Sequence, residues 1–222
     1  DLGFDLDAAQ VAEPRVFKSH LSWRDVPKDA RYIVSFRDPS DAFISAYRFF
    51  EGFLFEPGTI DLDTFFRWRN PPEKMGERGY WHHLASWWEQ RNNPDVLLLC
   101  YEDMVADLPN TVRRVAAFMD IPLDGELFAC VERQASRKFM LEHKNQFDEA
   151  PFRRLTAQRT GITVDTNAYK VTAGARDDPK YQLAAVHKQK LEEIWQTQIL
   201  NRFGLEDYED LRTAVRALYQ TR

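Results

Sequence analysis

The stretch RYIVSFRDPSDAFISAYRFF (31–50) constrains the fold more than any other part of the chain. Residues 31–36 are a short apolar run rich in β-branched and aromatic side chains, the pattern of a buried strand. The run ends at Arg37. Asp38-Pro39 then supplies a helix N-cap followed by proline at the first helical position, where the missing N–H costs nothing. Phe43, Ala46, Tyr47 and Phe50 continue at helical spacing. VLLLC (96–100) repeats the arrangement, running into Tyr101-Glu102-Asp103 before Pro109 opens the helical segment TVRRVAAFM. Two such units predict a parallel sheet, because strands that run the same way need crossovers between them.

RVFK (15–18) reads as a third buried strand, and residues 62–69, 80–90, 183–200 and 208–219 read as helices that cover the sheet. Residues 143–180 have few apolar repeats, several basic residues and the breakers Pro151, Gly161, Gly174 and Pro179, which predicts a long functional loop. The expected fold class is α/β, a three-layer sandwich with a central parallel sheet. With 222 residues, 44% of them apolar, the chain can bury a core as a single domain spanning 1–222 without disulfide or metal staples.

A formal net charge of -5 leaves no global positive field for a nucleic-acid backbone, so nucleic acid is not expected as a partner. The two cysteines, Cys100 in an apolar run and Cys130 in a helical pattern, lie in neither metal nor redox spacing. A cytoplasmic protein with no bound metal is expected. No apolar stretch is long enough to span a bilayer.

Ligands of open parallel sheets bind at the carboxyl ends of the strands. The residues to inspect are therefore Lys18-Ser19-His20, Arg37-Asp38 and Tyr101-Glu102-Asp103. The first group sets a cation, a hydroxyl and an imidazole within three residues, which suits an anion site beside a general base. Arg37 adds a second anion contact near a helix N-terminus, and the pocket is expected to take phosphate-like groups. Each residue has a plain alternative. A lone histidine is more often structural, Arg37 before Asp38 could be an ion pair at a helix start, Ser45 a small helix residue, and Tyr101 a satisfied core aromatic. Trp87 and Trp88 read as packing. His82-His83 is poor metal spacing, and the adjacent carboxylates Glu102 and Asp103 cannot flank a glycosidic bond from opposite sides.

PRVFKSHLSWRDVP followed by RYIVSFRDPSDAFISAYRFF resembles the soluble, bacterial-type sulfotransferases that use 3'-phosphoadenosine-5'-phosphosulfate (PAPS), and the resemblance extends over most of residues 14–212. It implies a P-loop-like nucleotide-binding architecture and sulfuryl transfer to the hydroxyl of a small or lipid-like acceptor, with 3',5'-adenosine bisphosphate (PAP) as product. In the resemblance His20 is the catalytic base, and Lys18 supports the leaving group or orients His20. Arg37 and Ser45, eight positions apart, grip the 3'-phosphate, Tyr101 contacts the adenine, and Ser136 is a further cofactor contact. YWHHLASWWE is similar to the acceptor-lining helix, so Tyr80 and His83 are implied at the acceptor, and Phe49 aligns with an acceptor-pocket aromatic of the family.

Two departures stand out. The glycine-rich phosphate loop of the family precedes these motifs and would stand before Asp1. The C-terminal clamp survives only as Lys170 and Gly174 within YKVTAG, and Arg153, Arg154 or Arg159 could replace its missing arginine. Two rivals stay open: a kinase-like or nucleotide-hydrolysing enzyme, which needs a Walker loop and a magnesium ligand, and a non-catalytic nucleotide-binding module. The sequence leaves the acceptor and the oligomeric state open.

Overall fold

A computed structural model describes residues 7–10, 13–51, 54–70, 79–147, 154–155, 157–159, 161, 171 and 179–219. Strand β1 (Tyr32–Phe36) pairs in parallel with β2 (Val96–Cys100), in a register that sets Tyr32 opposite Val96 and Phe36 opposite Cys100. Between the strands lie α1 (Pro39–Phe50), α2 (Leu62–Arg69) and α3 (Gly79–Trp88). After β2 come α4 (Tyr101–Ala106), α5 (Leu108–Phe118), α6 (Gly125–Ala135) and α7 (Arg137–Glu142). Helix α8 (Ala185–Trp195) continues through a π turn, Gln196–Leu200, and α9 (Tyr208–Ala217) follows.

Aspartate starts most of the longer helices. Asp38, Asp61, Asp107, Asp124 and Asp207 each accept a backbone N–H in the first turn of α1, α2, α5, α6 and α9. Each cap is worth about 1 kcal/mol, and together they fix where the helices begin.

All five residues of β2 are buried. Val96, Leu98 and Cys100 face the main core with Phe65, Leu84, Ile194, Ile199 and Leu211. Leu97 and Leu99 point the other way by the period of two and are buried as well, so β2 is covered on both faces, as the layered architecture requires. β1 differs from expectation. Val34 and Phe36 are buried, but Ile33 is 45% exposed, so among the described residues only one face of this strand is covered.

RVFK is not a strand. Residues 15–18 stand outside the two-stranded sheet, with Val16 and Phe17 more than half exposed. The Gln10 amide takes the place of a ladder neighbour, accepting from the Val16 N–H at 2.8 Å and donating to its carbonyl at 3.1 Å. Apolar β-branched residues form a strand only beside a partner, and here a side chain occupies the pairing groups. The segment expected as a loop, 143–180, falls largely outside the described residues, along with Lys170, Gly174 and Arg153.

Candidate active site

The register of the sheet builds the first part of the site. Phe36 and Cys100 are opposite each other, so the next residues of the two parallel strands, Arg37 and Tyr101, emerge side by side at the carboxyl end. The Arg37 guanidinium lies 4.5 Å from the centre of the Tyr101 ring. Its Nη2 is 3.6 Å from the Asp41 carboxylate, one helical turn into α1, and its Nε is buried with no hydrogen-bond partner. Ser45 is four positions beyond Asp41, on the same face of α1, and is exposed.

The turn out of β1 is held from several sides. Tyr80 of α3 donates its buried hydroxyl to the Arg37 carbonyl at 2.6 Å. The Asp38 N–H donates to Glu102 Oε1 of α4 at 3.1 Å, and Tyr208 of α9 donates to Glu102 Oε2 at 2.6 Å. Asp38 itself accepts from the N–H groups of Ser40 and Asp41, so its carboxylate occupies the mouth of α1. Burial raises the Asp38 pKa against those backbone hydrogen bonds. Next to this network Arg212 of α9 meets Asp103 of α4 at 2.6 Å, a second tie between the C-terminal helix and the strand end.

A second cluster forms where the segment before β1 crosses α3. Trp87 Nε1 donates to the Leu21 carbonyl at 3.1 Å, and the Trp23 N–H donates to Ser86 Oγ at 3.1 Å. These bonds attach residues 21–23 to α3 and bring His20 to His83. The His83 pKa is lowered to about 4, chiefly by burial and then by the charges of His20 and His82. His20 is exposed, so an accessible imidazole stands beside a half-buried one held neutral at physiological pH.

The remaining expected residues have local contacts of their own. Ser136 caps α7, accepting from the Phe139 N–H at 3.2 Å while donating to the Arg133 carbonyl at 2.6 Å. Phe49 is half-buried and packs edge-on against Phe50 at 5.7 Å. The hydroxyl of Tyr80 is committed to the Arg37 carbonyl, which leaves its ring for any acceptor contact. Lys18 is exposed. Trp87 and Trp88 are buried core residues, as the sequence implied.

Residues 6–151 match the sulfotransferase domain. The chain belongs to the sulfotransferase family. An amine sulfotransferase from Oryctolagus cuniculus is 24% identical over 199 residues, covering 87% of this chain and 64% of the relative. Sulfotransferase 4A1 from Homo sapiens is 32% identical over 120 residues, covering 52% of this chain and 42% of the relative. The chain thus spans less than two thirds of the length of these curated relatives. A mouse sulfotransferase, SULT7A1, crystallised with PAP, shares the fold at a TM-score of 0.63 and 18% identity, over 92% of this chain and 69% of that one.

Sequence reasoning missed one tie within the site and one groove outside it. Glu102 is read from the sequence as a strand-end residue and as half of a carboxylate pair, and nothing in the sequence links it to Tyr208, 106 positions away. A groove of about 480 Å³ lined by Tyr47, Asp63, Lys180 and His187 shares no residue with either cluster.

Proposed function

We propose that this sulfotransferase moves a sulfuryl group from PAPS to the hydroxyl of a small acceptor, with the cofactor's 3'-phosphate on Arg37 and proton removal at His20. The single observation that carries the reading is Arg37, held over Tyr101 with a buried Nε that lacks a partner. A buried N–H of that kind costs free energy until an acceptor arrives, and a phosphate oxygen supplies one. Ser45 adds a hydroxyl on the same helical face, and Tyr101 offers its ring to a purine. Lys170, Gly174 and Ser136 are the remaining proposed cofactor contacts, the first two outside the described residues. PAP in the mouse SULT7A1 crystals supports the choice of cofactor.

When bound, PAPS supplies the sulfuryl group. On the protein side, His20 takes the acceptor hydroxyl proton at its imidazole nitrogen, a task suited to a histidine whose ordinary pKa lies near 6.5. His83, kept neutral, can orient the same hydroxyl without competing for a positive charge. Phe49 and the Tyr80 ring form the proposed apolar side of the acceptor space, and Lys18 supports the transferring group. The reading includes one domain and a cytoplasmic location, which agrees with two free cysteines; no helix among the described residues is long and apolar enough to cross a membrane.

The test is a calorimetric titration with PAP and, separately, with 5'-AMP. Wild-type protein is expected to prefer PAP, and Arg37→Ala to lose that preference. Equal affinity of the wild type for both nucleotides would count against the 3'-phosphate site and with it the proposed cofactor. His20→Ala should retain nucleotide binding while turnover falls by about 10²- to 10⁴-fold.

A further inference from the structure

The peptide unit between Arg37 and Asp38 is held at both of its polar ends. Its carbonyl accepts from the Tyr80 hydroxyl at 2.6 Å, and its N–H donates to Glu102 at 3.1 Å. These two contacts come from α3 and α4, and a third element, α9, steadies Glu102 through Tyr208. Three elements distant in sequence converge on one peptide bond, where β1 ends and α1 begins.

The identity of Glu102 is informative. A carboxylate beside an arginine that receives an anion weakens the local positive field, so electrostatics alone would exclude it. Both of its oxygens are engaged, Oε1 by the Asp38 N–H and Oε2 by Tyr208, so its charge is directed at the turn. The turn needs this restraint because Asp41 competes for the guanidinium, 3.6 Å away and one helical turn along. A loosened β1–α1 junction would let Arg37 settle further onto Asp41 and away from Tyr101.

We propose that Tyr80, Glu102 and Tyr208 are positioning residues that fix the Arg37–Asp38 peptide and so aim Arg37 at the 3'-phosphate, making the C-terminal helix α9 part of the nucleotide site. The inference rests on the assignment of Arg37 above and adds to it. A charge-assisted hydrogen bond lost at such a point corresponds to about a tenfold to hundredfold change in binding when the whole effect falls on the ligand.

The experiment measures Kd for PAP and for 5'-AMP in wild type, Tyr80→Phe, Tyr208→Phe, Glu102→Ala and Glu102→Gln. Tyr80→Phe, Tyr208→Phe and Glu102→Ala are each expected to weaken PAP binding by about tenfold or more while 5'-AMP binding stays near wild type, so the ratio of the two affinities collapses. Glu102→Gln keeps an acceptor for the Asp38 N–H and should lose less than Glu102→Ala. A merely structural role would lower both affinities together, or lower the melting temperature and leave the ratio intact. That pattern in the folded variants overturns the inference while sparing the Arg37 assignment, provided wild type prefers PAP. A wild type with no preference overturns the assignment, and this inference with it.

Discussion

Acidification from pH 7.5 to pH 5 provides a direct test of how His83 is held. Burial and the nearby imidazoles lower its pKa to about 4, against about 6.5 in an unfolded chain. Between those values the unfolded state binds the extra proton, so stability is complete above about pH 6.5 and falls as the pH drops. The ratio of binding polynomials at pH 5 gives a loss of about 2 kcal/mol, and the limit below pH 4 is about 3.4 kcal/mol. Urea unfolding at pH 7.5, 6 and 5 would measure this in wild type and in His83→Asn. Every other titrating group is common to both proteins, so the difference between their pH slopes isolates His83. The wild type should lose about 2 kcal/mol more than the variant over this range. Equal losses would show that His83 is not held neutral by its surroundings, and its proposed role as an uncharged neighbour of His20 would fall too.

Leu98 is fully buried on the central strand, so Leu98→Ala should cost about 2–5 kcal/mol, read by denaturant unfolding, while Val105→Ala at a site 60% exposed should stay within about 0.5 kcal/mol. Cys100 is buried with its pKa pushed up to about 12, so under native conditions at pH 8 a thiol reagent should label half-buried Cys130 well before Cys100. Gly204 ends the helical run after α8 at φ +73 with open space where a Cβ would go, so Gly204→Ala should cost about 1 kcal/mol of thermal stability through backbone strain alone.

The parts legible in the sequence are those governed by neighbours along the chain. Asp38-Pro39 announces the start of α1 because capping is a contact across two or three residues, and VLLLC reads as a central strand because every position is apolar. The register then explains why Arg37 meets Tyr101. What could not be read depends on distant partners. Val16 and Phe17 have strand-forming side chains, but strand formation is decided by a neighbour that the local pattern does not contain. Helices α6 and α7 bury no residue; the helical pattern around Cys130 is the sequence trace of α6, and the Asp124 and Ser136 caps are the remaining local signal. Tyr208 and Glu102 are joined only by the fold.

Net charge misleads about the site for a related reason. A formal charge of -5 argues against a surface that attracts polyanions at large, yet it says little about one anion at one arginine. Many of the carboxylates are already engaged. Asp61, Asp107, Asp124 and Asp207 cap helices, Asp103 meets Arg212, Asp120 meets Arg31, and Glu89 meets Arg202. At Arg37 the contest narrows to Asp41. A partly exposed ion pair of this kind is worth about 0.2–1 kcal/mol, and at 3.6 Å this one lies beyond hydrogen-bond length. A phosphate hydrogen-bonded to the guanidinium gains about 1.5–3 kcal/mol and satisfies the buried Nε that Asp41 leaves without a partner. While the β1–α1 junction holds Arg37 at this distance, the phosphate contact is the stronger of the two: Asp41 can occupy Arg37 between ligands, and from 3.6 Å it cannot hold the guanidinium against a phosphate.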